Sequence, residues 1–183
     1  VMSSLKAQRQ VAESILKGPT LNKFDLGDPY KGMPQLMDAV VLSSIASYAQ
    51  GIEILRLASD EYNYDLDMPS IAQIWKGGCI IRSRLLKRIQ NAFNANPKPI
   101  NLLLDPWFAD QINTRLPGLT HVVAGAVEAG IPVPCFTSTL DYINSYRTSR
   151  LPQNLVQAMR DCFGSHTYER IDNQGNFHTD WIK

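Results

Sequence analysis

The stretch AVVLSSIASYAQGI, residues 39–52, lies between Asp38 and Glu53 and contains no charged side chain. Wound as a helix, it presents apolar or small residues on nearly every face, a pattern typical of a helix that other helices surround. It falls short of the roughly 18–20 apolar residues that a membrane span needs, and serines interrupt it. We therefore predict a long, buried central helix that opens at Pro34 and runs to about Tyr62.

Helical periodicity and helix-ending residues flank this segment on both sides, whereas alternating strand patterns are absent. The sequence predicts an all-α fold of about seven or eight helices around the central helix, followed by an extended C-terminal tail. We place the helical domain at residues 1–171 and the tail at 172–183. The other predicted helices run from Ser3 or Ser4 to Leu16, from Asp67 to Trp75, and over residues 79–93, 105–116, 120–130, 137–146 and 152–164, with a loop at 20–33.

Composition limits the possible classes of protein. The chain has 183 residues, which is the size of one domain, and a net charge of +1 with 44% hydrophobic residues excludes disorder and disfavours strong nucleic-acid binding. The three cysteines, Cys79, Cys135 and Cys162, form no C-x-x-C pair and no zinc-ligand spacing. We therefore expect no metal site and no disulfide framework, which favours a reducing compartment such as the cytoplasm. The start of the chain lacks a signal-peptide pattern, and Val1 precedes a methionine, so we expect a piece of a longer protein.

The usual catalytic motifs are missing, since the chain has no G-x-G-x-x-G, G-x-x-x-x-G-K-[ST], H-E-x-x-H or G-x-S-x-G. Spacing alone thus predicts a helical domain without a self-contained active site. Several local features have two explanations each. A basic cluster is either a solvated helix face or a surface for an anion or partner, and the Trp75–Cys79 segment is either a tight helix–helix corner or a binding loop. The cluster consists of Arg82, Arg84, Lys87 and Arg88.

The histidines likewise have a structural and a functional explanation. His121 lies among apolar residues and is expected to be a packed core or helix-end residue rather than a ligand, and His178 is expected to be exposed. Arg160 falls in the last turn of the final helix, where a cation complements the helix dipole without any ligand. Gly164 then turns the chain and can bring His166 back to the same side, where a guanidinium and an imidazole would together suit a phosphate or carboxylate.

Six stretches occur in an order that resembles one enzyme family over essentially the whole chain. The similarity is to the C-terminal helical domain of decarboxylating 6-phosphogluconate dehydrogenase, and the second and fifth stretches are the most specific. The stretches are YAQG (48–51), IWKGGCIIRS (74–83), NLLLD (101–105), AGIPVP (129–134), RDCFGSHTYE (160–169) and FHTDW (177–181). Departures from the family pattern occur at Met159, Cys162 and Ser165, and these neighbours leave both candidate donors in place.

The resemblance implies an enzyme that oxidises 6-phosphogluconate with NADP and decarboxylates the product to ribulose 5-phosphate, a step of the pentose phosphate pathway. It implies that Arg160 and His166 reach across a homodimer and hold the substrate of the neighbouring subunit, and that the tail threads into that subunit. The family's cofactor-binding glycines, general-base lysine and general-acid glutamate precede the matched region. We therefore expect no catalytic residue in this chain and no turnover from it alone. The alternative hypothesis is a catalytically inert helical scaffold or interaction module derived from that domain.

Overall fold

The structure is a computed structural model that describes residues 2–19 and 29–181. The described part contains seven α-helices, two short 3₁₀ turns and one two-stranded antiparallel sheet, which confirms the all-α prediction. The helices are α1 (Lys6–Ile15), α2 (Pro29–Tyr62), α3 (Met68–Ile74), α4 (Leu85–Ala95), α5 (Pro106–Glu128), α6 (Pro134–Tyr146) and α7 (Asn154–Gly164), the strands are β1 (Tyr168–Glu169) and β2 (Asn176–Phe177), and the 3₁₀ turns are Met2–Leu5 and Leu102–Leu104. None of the described helices is long and apolar enough to cross a membrane.

The chain forms two compact units, one ending at Ile143 and the other beginning at Asn144. In the first unit α2 packs mainly against α5, and α3 packs against α4. The division that we predicted after residue 171 concerns the role of the tail and stays a prediction.

The uncharged section of α2 buries one side only. Ala39, Leu42, Ile45 and Ala49 recur every three or four residues and are fully or almost fully buried, as one face of a helix requires. Val40, however, lies on the opposite side and is exposed. The expectation that other helices surround this section is therefore wrong within this chain, because α5 and its neighbours cover a single face.

Helix α5 is continuous through Pro117, so the two separate helices predicted over 105–116 and 120–130 are wrong. Pro117 cannot donate a hydrogen bond to the carbonyl of Asn113, but both residues are exposed and water can satisfy that carbonyl. Gly118 does not end the helix. It is buried where α5 meets α2, and an added Cβ would lie 2.6 Å from Oδ2 of Asp38.

Three other predicted boundaries shift. α2 already contains Pro29 and includes Pro34, so the prediction that Pro34 opens it is wrong; residues 20–28 of the predicted loop lie outside the described residues. The helix predicted over 79–93 begins only at Leu85, because the preceding segment is irregular and the Ser83 hydroxyl accepts a hydrogen bond from the Leu85 amide. α6 begins at Pro134 and not at a Thr137 or Ser138 cap, since proline suits the first helical position.

The predicted start of the first helix at Ser3 or Ser4 is wrong, because α1 begins at Lys6 after Leu5 and has no side-chain cap hydrogen bond. Two other capping predictions are confirmed. The Asp67 carboxylate accepts a hydrogen bond from the Ser70 amide and starts α3. The Asp105 carboxylate accepts hydrogen bonds from the amides of Trp107 and Phe108 and starts α5. Both aspartates precede a proline in the first turn, which is the arrangement that favours a helix start.

Candidate functional site

The predicted site residues lie at the C-terminal end of α7, in the second unit. Ser165 follows this helix in the left-handed conformation, with φ of 50°. Its amide donates to the carbonyl of Asp161 at 2.9 Å, and the His166 amide points to the carbonyl of Arg160 at 3.5 Å. This double pattern folds the chain back over the last turn of the helix.

Gly164 makes room for the imidazole of His166. A Cβ at position 164 would lie 3.0 Å from Cδ2 and 3.2 Å from Nε2 of His166, so the ring packs against the helix end. His166 nevertheless remains exposed, as does Arg160. The fold-back thus leaves both candidate donors accessible to an external anion.

Gln157 links the side chain of Arg160 to the segment that carries His166. Nη1 of Arg160 donates to Oε1 of Gln157 at 3.0 Å, and Nε2 of Gln157 donates to the carbonyl of Thr167 at 2.5 Å. One carboxamide therefore contacts both the guanidinium and the residue that follows the imidazole.

Asp161 is the buried centre of this unit, with no exposed surface. Oδ1 accepts a hydrogen bond from the Thr167 amide at 3.0 Å and lies 2.8 Å from Nδ1 of His178. Oδ2 accepts hydrogen bonds from the Thr179 amide at 3.0 Å and from Nε1 of Trp181 at 2.8 Å. The C-terminal segment is thus tied to α7 through a single carboxylate.

These contacts shift the pKa values of Asp161 and His178. Burial acts to raise the pKa of Asp161, but the hydrogen bonds from His178, Trp181 and Thr179 together outweigh it and lower the pKa to about 2. The hydrogen bond to Asp161 in turn raises the pKa of His178, against a smaller opposing effect of desolvation. A buried, ionised carboxylate therefore binds the partly exposed imidazole of His178 and ties the tail to α7.

The short sheet turns the chain back toward this carboxylate. Tyr168 pairs with Phe177 and Glu169 with Asn176, and the Tyr168 hydroxyl lies 2.7 Å from Oγ1 of Thr179. Because β1 follows Thr167 directly and β2 precedes His178, the sheet brings the two sets of Asp161 donors together.

Sequence reasoning found Arg160 and His166 but missed Gln157 and Asp161 as their neighbours, and it treated His178 as simply exposed. His178 is indeed exposed, to 43%, but its ring also bonds to Asp161. A signal for Asp161 existed. A carboxylate in the last turn of a helix faces the negative end of the dipole, which is unfavourable unless nearby donors compensate for it.

The other candidate residues lie in the first unit. His121 is exposed on α5, so the expectation of a packed or helix-end residue is wrong. Trp75–Cys79 forms a turn in which Gly78 has φ of 69°, a conformation that favours glycine. In the basic cluster, the guanidinium of Arg88 lies 4.9 Å from the ring centre of Trp107, while Arg82, Arg84 and Lys87 are exposed. Over residues 2–19 and 29–181, no group of three histidine, cysteine, aspartate or glutamate side chains could hold a metal ion.

Comparisons with known proteins agree on one family. The family model described as "6-phosphogluconate dehydrogenase, C-terminal domain" matches residues 1–181. The chain is 50% identical over 182 residues to a decarboxylating 6-phosphogluconate dehydrogenase of Synechococcus elongatus, which covers all of this chain and 38% of that protein. It is 44% identical over 187 residues to the NADP(+)-dependent decarboxylating enzyme of Bacillus subtilis, covering all of this chain and 39% of that protein.

A solved structure is similar over the same extent. It is the 6-phosphogluconate dehydrogenase of Plasmodium falciparum, described in its apo form and in complexes with its cofactor NADP+ and its substrate 6-phosphogluconate. The identity is 42%, the TM-score is 0.83, and the match covers 98% of this chain and 38% of that one. The chain therefore spans well under half the length of the proteins that it resembles.

Proposed function

Because the chain belongs to the 6-phosphogluconate dehydrogenase C-terminal domain family, we propose that it is the C-terminal portion of an NADP-dependent enzyme that oxidatively decarboxylates 6-phosphogluconate to ribulose 5-phosphate. In this proposal the chain contributes to the homodimer and donates Arg160 and His166 to the substrate phosphate of the neighbouring subunit. The enzyme would serve the pentose phosphate pathway in the cytoplasm. The odd number and scattered spacing of Cys79, Cys135 and Cys162 favour such a reducing location.

The observation that carries the proposal is the fold-back at the end of α7, which leaves Arg160 and His166 both exposed and brings the His166 amide 3.5 Å from the carbonyl of Arg160. A sugar phosphate carries about two negative charges. A hydrogen bond from a charged donor to such a group contributes roughly 1.5–3 kcal/mol. An exposed guanidinium and imidazole are suited to reach an anion held by a second subunit, because neither is enclosed by its own.

NADP would be held mainly by a domain that precedes the matched region. Dinucleotide sites use a glycine-rich turn between a parallel strand and a helix. The residues described here do not fit such a site, since their only sheet is the antiparallel pair β1–β2. We therefore assign no step of hydride transfer to residues of this chain.

A homodimer is supported by an exposed apolar groove in the first unit, with a volume of about 640 Å³. It runs along the uncovered side of α2 beside the Trp75–Cys79 turn. Val40, Ile80 and Ile81 line it and are all exposed, and Ile80 is fully so. Apolar patches of this kind mark interaction surfaces, and a second copy of the chain is the partner that the family membership favours.

The proposal is tested by Arg160→Ala in the full-length enzyme. We expect the KM for 6-phosphogluconate to rise by roughly 10- to 150-fold, which corresponds to the loss of about 1.5–3 kcal/mol of charge-assisted bonding. Arg147→Ala is the matched control, because Arg147 is an exposed arginine of the same unit whose Nε donates to the neighbouring Asn144. An unchanged KM in Arg160→Ala, or NADP reduction by the 183-residue chain alone, would contradict the proposal.

A further inference from the structure

We propose that Gln157 and Asp161 are positioning residues of the substrate site, which hold Arg160 and His166 in the geometry that receives the phosphate. The proposal rests on the function proposed above and adds two residues that act through others. The backbone of the three-residue segment 165–167 has a conformation that neighbouring side chains must stabilise.

Two of the three residues in that segment are non-glycine residues in the left-handed region. Ser165 has φ of 50° and Thr167 has φ of 61°. Side chains disfavour this conformation, so surrounding contacts must impose it. His166 lies between these two residues, so the orientation of its side chain depends on the contacts that stabilise their backbone conformation.

Both backbone groups of Thr167 are bound by side chains of α7. Its amide donates to Oδ1 of Asp161 at 3.0 Å, and its carbonyl accepts from Nε2 of Gln157 at 2.5 Å. Asp161 and Gln157 are one helical turn apart and so lie on the same face of α7. Side chains of α7 therefore hydrogen-bond both the amide and the carbonyl of the residue that follows His166.

The same carboxamide restrains the guanidinium. Oε1 of Gln157 accepts from Nη1 of Arg160 at 3.0 Å, and since arginine has five N–H donors, the others stay available for an anion. The orientation of the amide follows from its neighbours, because the Thr167 carbonyl needs a donor and the guanidinium needs an acceptor. Gln157 thereby couples the two candidate phosphate ligands through one rigid group.

Asp161 extends the coupling to the tail. Its Oδ2 is occupied by the Thr179 amide and the Trp181 indole, so the carboxylate cannot turn away from Thr167 without breaking those bonds. Ordering flexible side chains on binding weakens affinity, and groups already held in the bound geometry avoid that loss. The expected consequence of loosening either residue is weaker substrate binding with the chemical step preserved.

The test uses Gln157→Met in the full-length enzyme, with Gln153→Met, at the exposed residue just before the same helix, as the matched control. Gln153 makes no side-chain capping bond. We expect Gln157→Met to raise the KM for 6-phosphogluconate about 5- to 20-fold, with kcat and the KM for NADP within about two-fold of the parent enzyme; this corresponds to losing one or two restraining bonds. Gln153→Met should leave all three values unchanged.

A double-variant comparison distinguishes a loss of positioning from a nonspecific loss of substrate binding. In an Arg160→Ala background, Gln157→Met should raise the KM by clearly less than it does in the parent enzyme, because only its action on His166 through Thr167 remains. An equal rise in both backgrounds, or no rise in either, would overturn the positioning role. If Arg160→Ala itself leaves the KM unchanged, the proposed function fails; if only Gln157→Met is silent, the positioning role fails alone.

Asp161→Asn gives a second measurement that does not depend on Gln157. The amide keeps the size of the carboxylate but cannot accept at both ends. We expect the KM for 6-phosphogluconate to rise while amide hydrogen exchange becomes faster at Thr167 and Thr179. Faster exchange with an unchanged KM would show that the tail can loosen without affecting the site, and it would overturn the role of Asp161.

Discussion

Gly118 tests how tightly α2 and α5 approach each other. Replacing it by alanine would place a Cβ 2.8 Å from the Cβ of Asp38 and 2.6 Å from its Oδ2. A rotation of the Asp38 side chain can move the oxygen but not the Cβ, so the two helices themselves must separate. The same aspartate accepts a hydrogen bond from Nη1 of Arg115 at 2.5 Å, an ion pair that this movement would stretch.

The sign of the effect follows from three contributions. Overpacking a close contact costs about 1–3 kcal/mol, and weakening a partly exposed ion pair costs up to about 1 kcal/mol. Against these, alanine is favoured over glycine in a helix interior by about 1 kcal/mol. We therefore expect Gly118→Ala to lower the free energy of unfolding by about 1–2 kcal/mol, since the steric contribution exceeds the gain in propensity.

The control is the same substitution where the chain leaves space. Gly51 lies in α2 and an added Cβ there meets nothing within 4 Å. Gly51→Ala should raise the free energy of unfolding by about 0.5–1 kcal/mol, because only the propensity gain remains. Urea unfolding followed by far-ultraviolet circular dichroism measures both variants. If Gly118→Ala proves as stable as the parent or more stable, the helices can separate without cost and the close approach is not a packing constraint.

Two further predictions concern the tail and a helix start. The raised pKa of His178 means that its stabilising contribution is complete below the ordinary histidine pKa of 6.5 and is lost as pH rises through the higher folded pKa. The contribution of Asp161 persists at neutral pH and is lost only as pH falls toward its folded pKa of about 2. NMR titration of the His178 ring should thus show a pKa above 6.5 that returns toward 6.5 in Asp161→Asn, and an unshifted pKa in the parent would contradict the ion pair. Asp105→Ala should cost about 1 kcal/mol in urea unfolding through loss of the cap of α5, whereas Asp110→Ala, an exposed aspartate of the same helix, should cost less than half of that, and equal losses would refute the capping role.

Local signals correctly predicted two helix starts that nearby side chains fix. Asp67 and Asp105 each cap a helix through an amide two or three residues away, so the sequence was sufficient to locate both starts. Sequence signals whose cause lies in a distant part of the chain led to wrong predictions. Pro117-Gly118 reads as a helix end, but the glycine there is required by Asp38 on another helix, which no local pattern records.

The candidate site likewise contains residues that the sequence predicted and contacts that only the structure shows. The resemblance to a family predicted Arg160 and His166 as substrate ligands, because both lie within a short motif that can be matched without knowing the fold. The support for them was not predictable, since Asp161 receives donors from residues 6, 17, 18 and 20 positions later in the chain. Only the return of the chain through β1 and β2 brings those groups within hydrogen-bonding distance.

By itself, the order of residues determined that this protein is helical, that its longest helix has an uncharged middle section, and where several helices begin, because capping and periodicity act over a few residues. The tertiary structure alone decided which face of that long helix is covered and how a carboxylate in the last turn of α7 is satisfied. Both depend on segments distant in the chain, whose approach is set by packing and backbone geometry that no short stretch of sequence encodes.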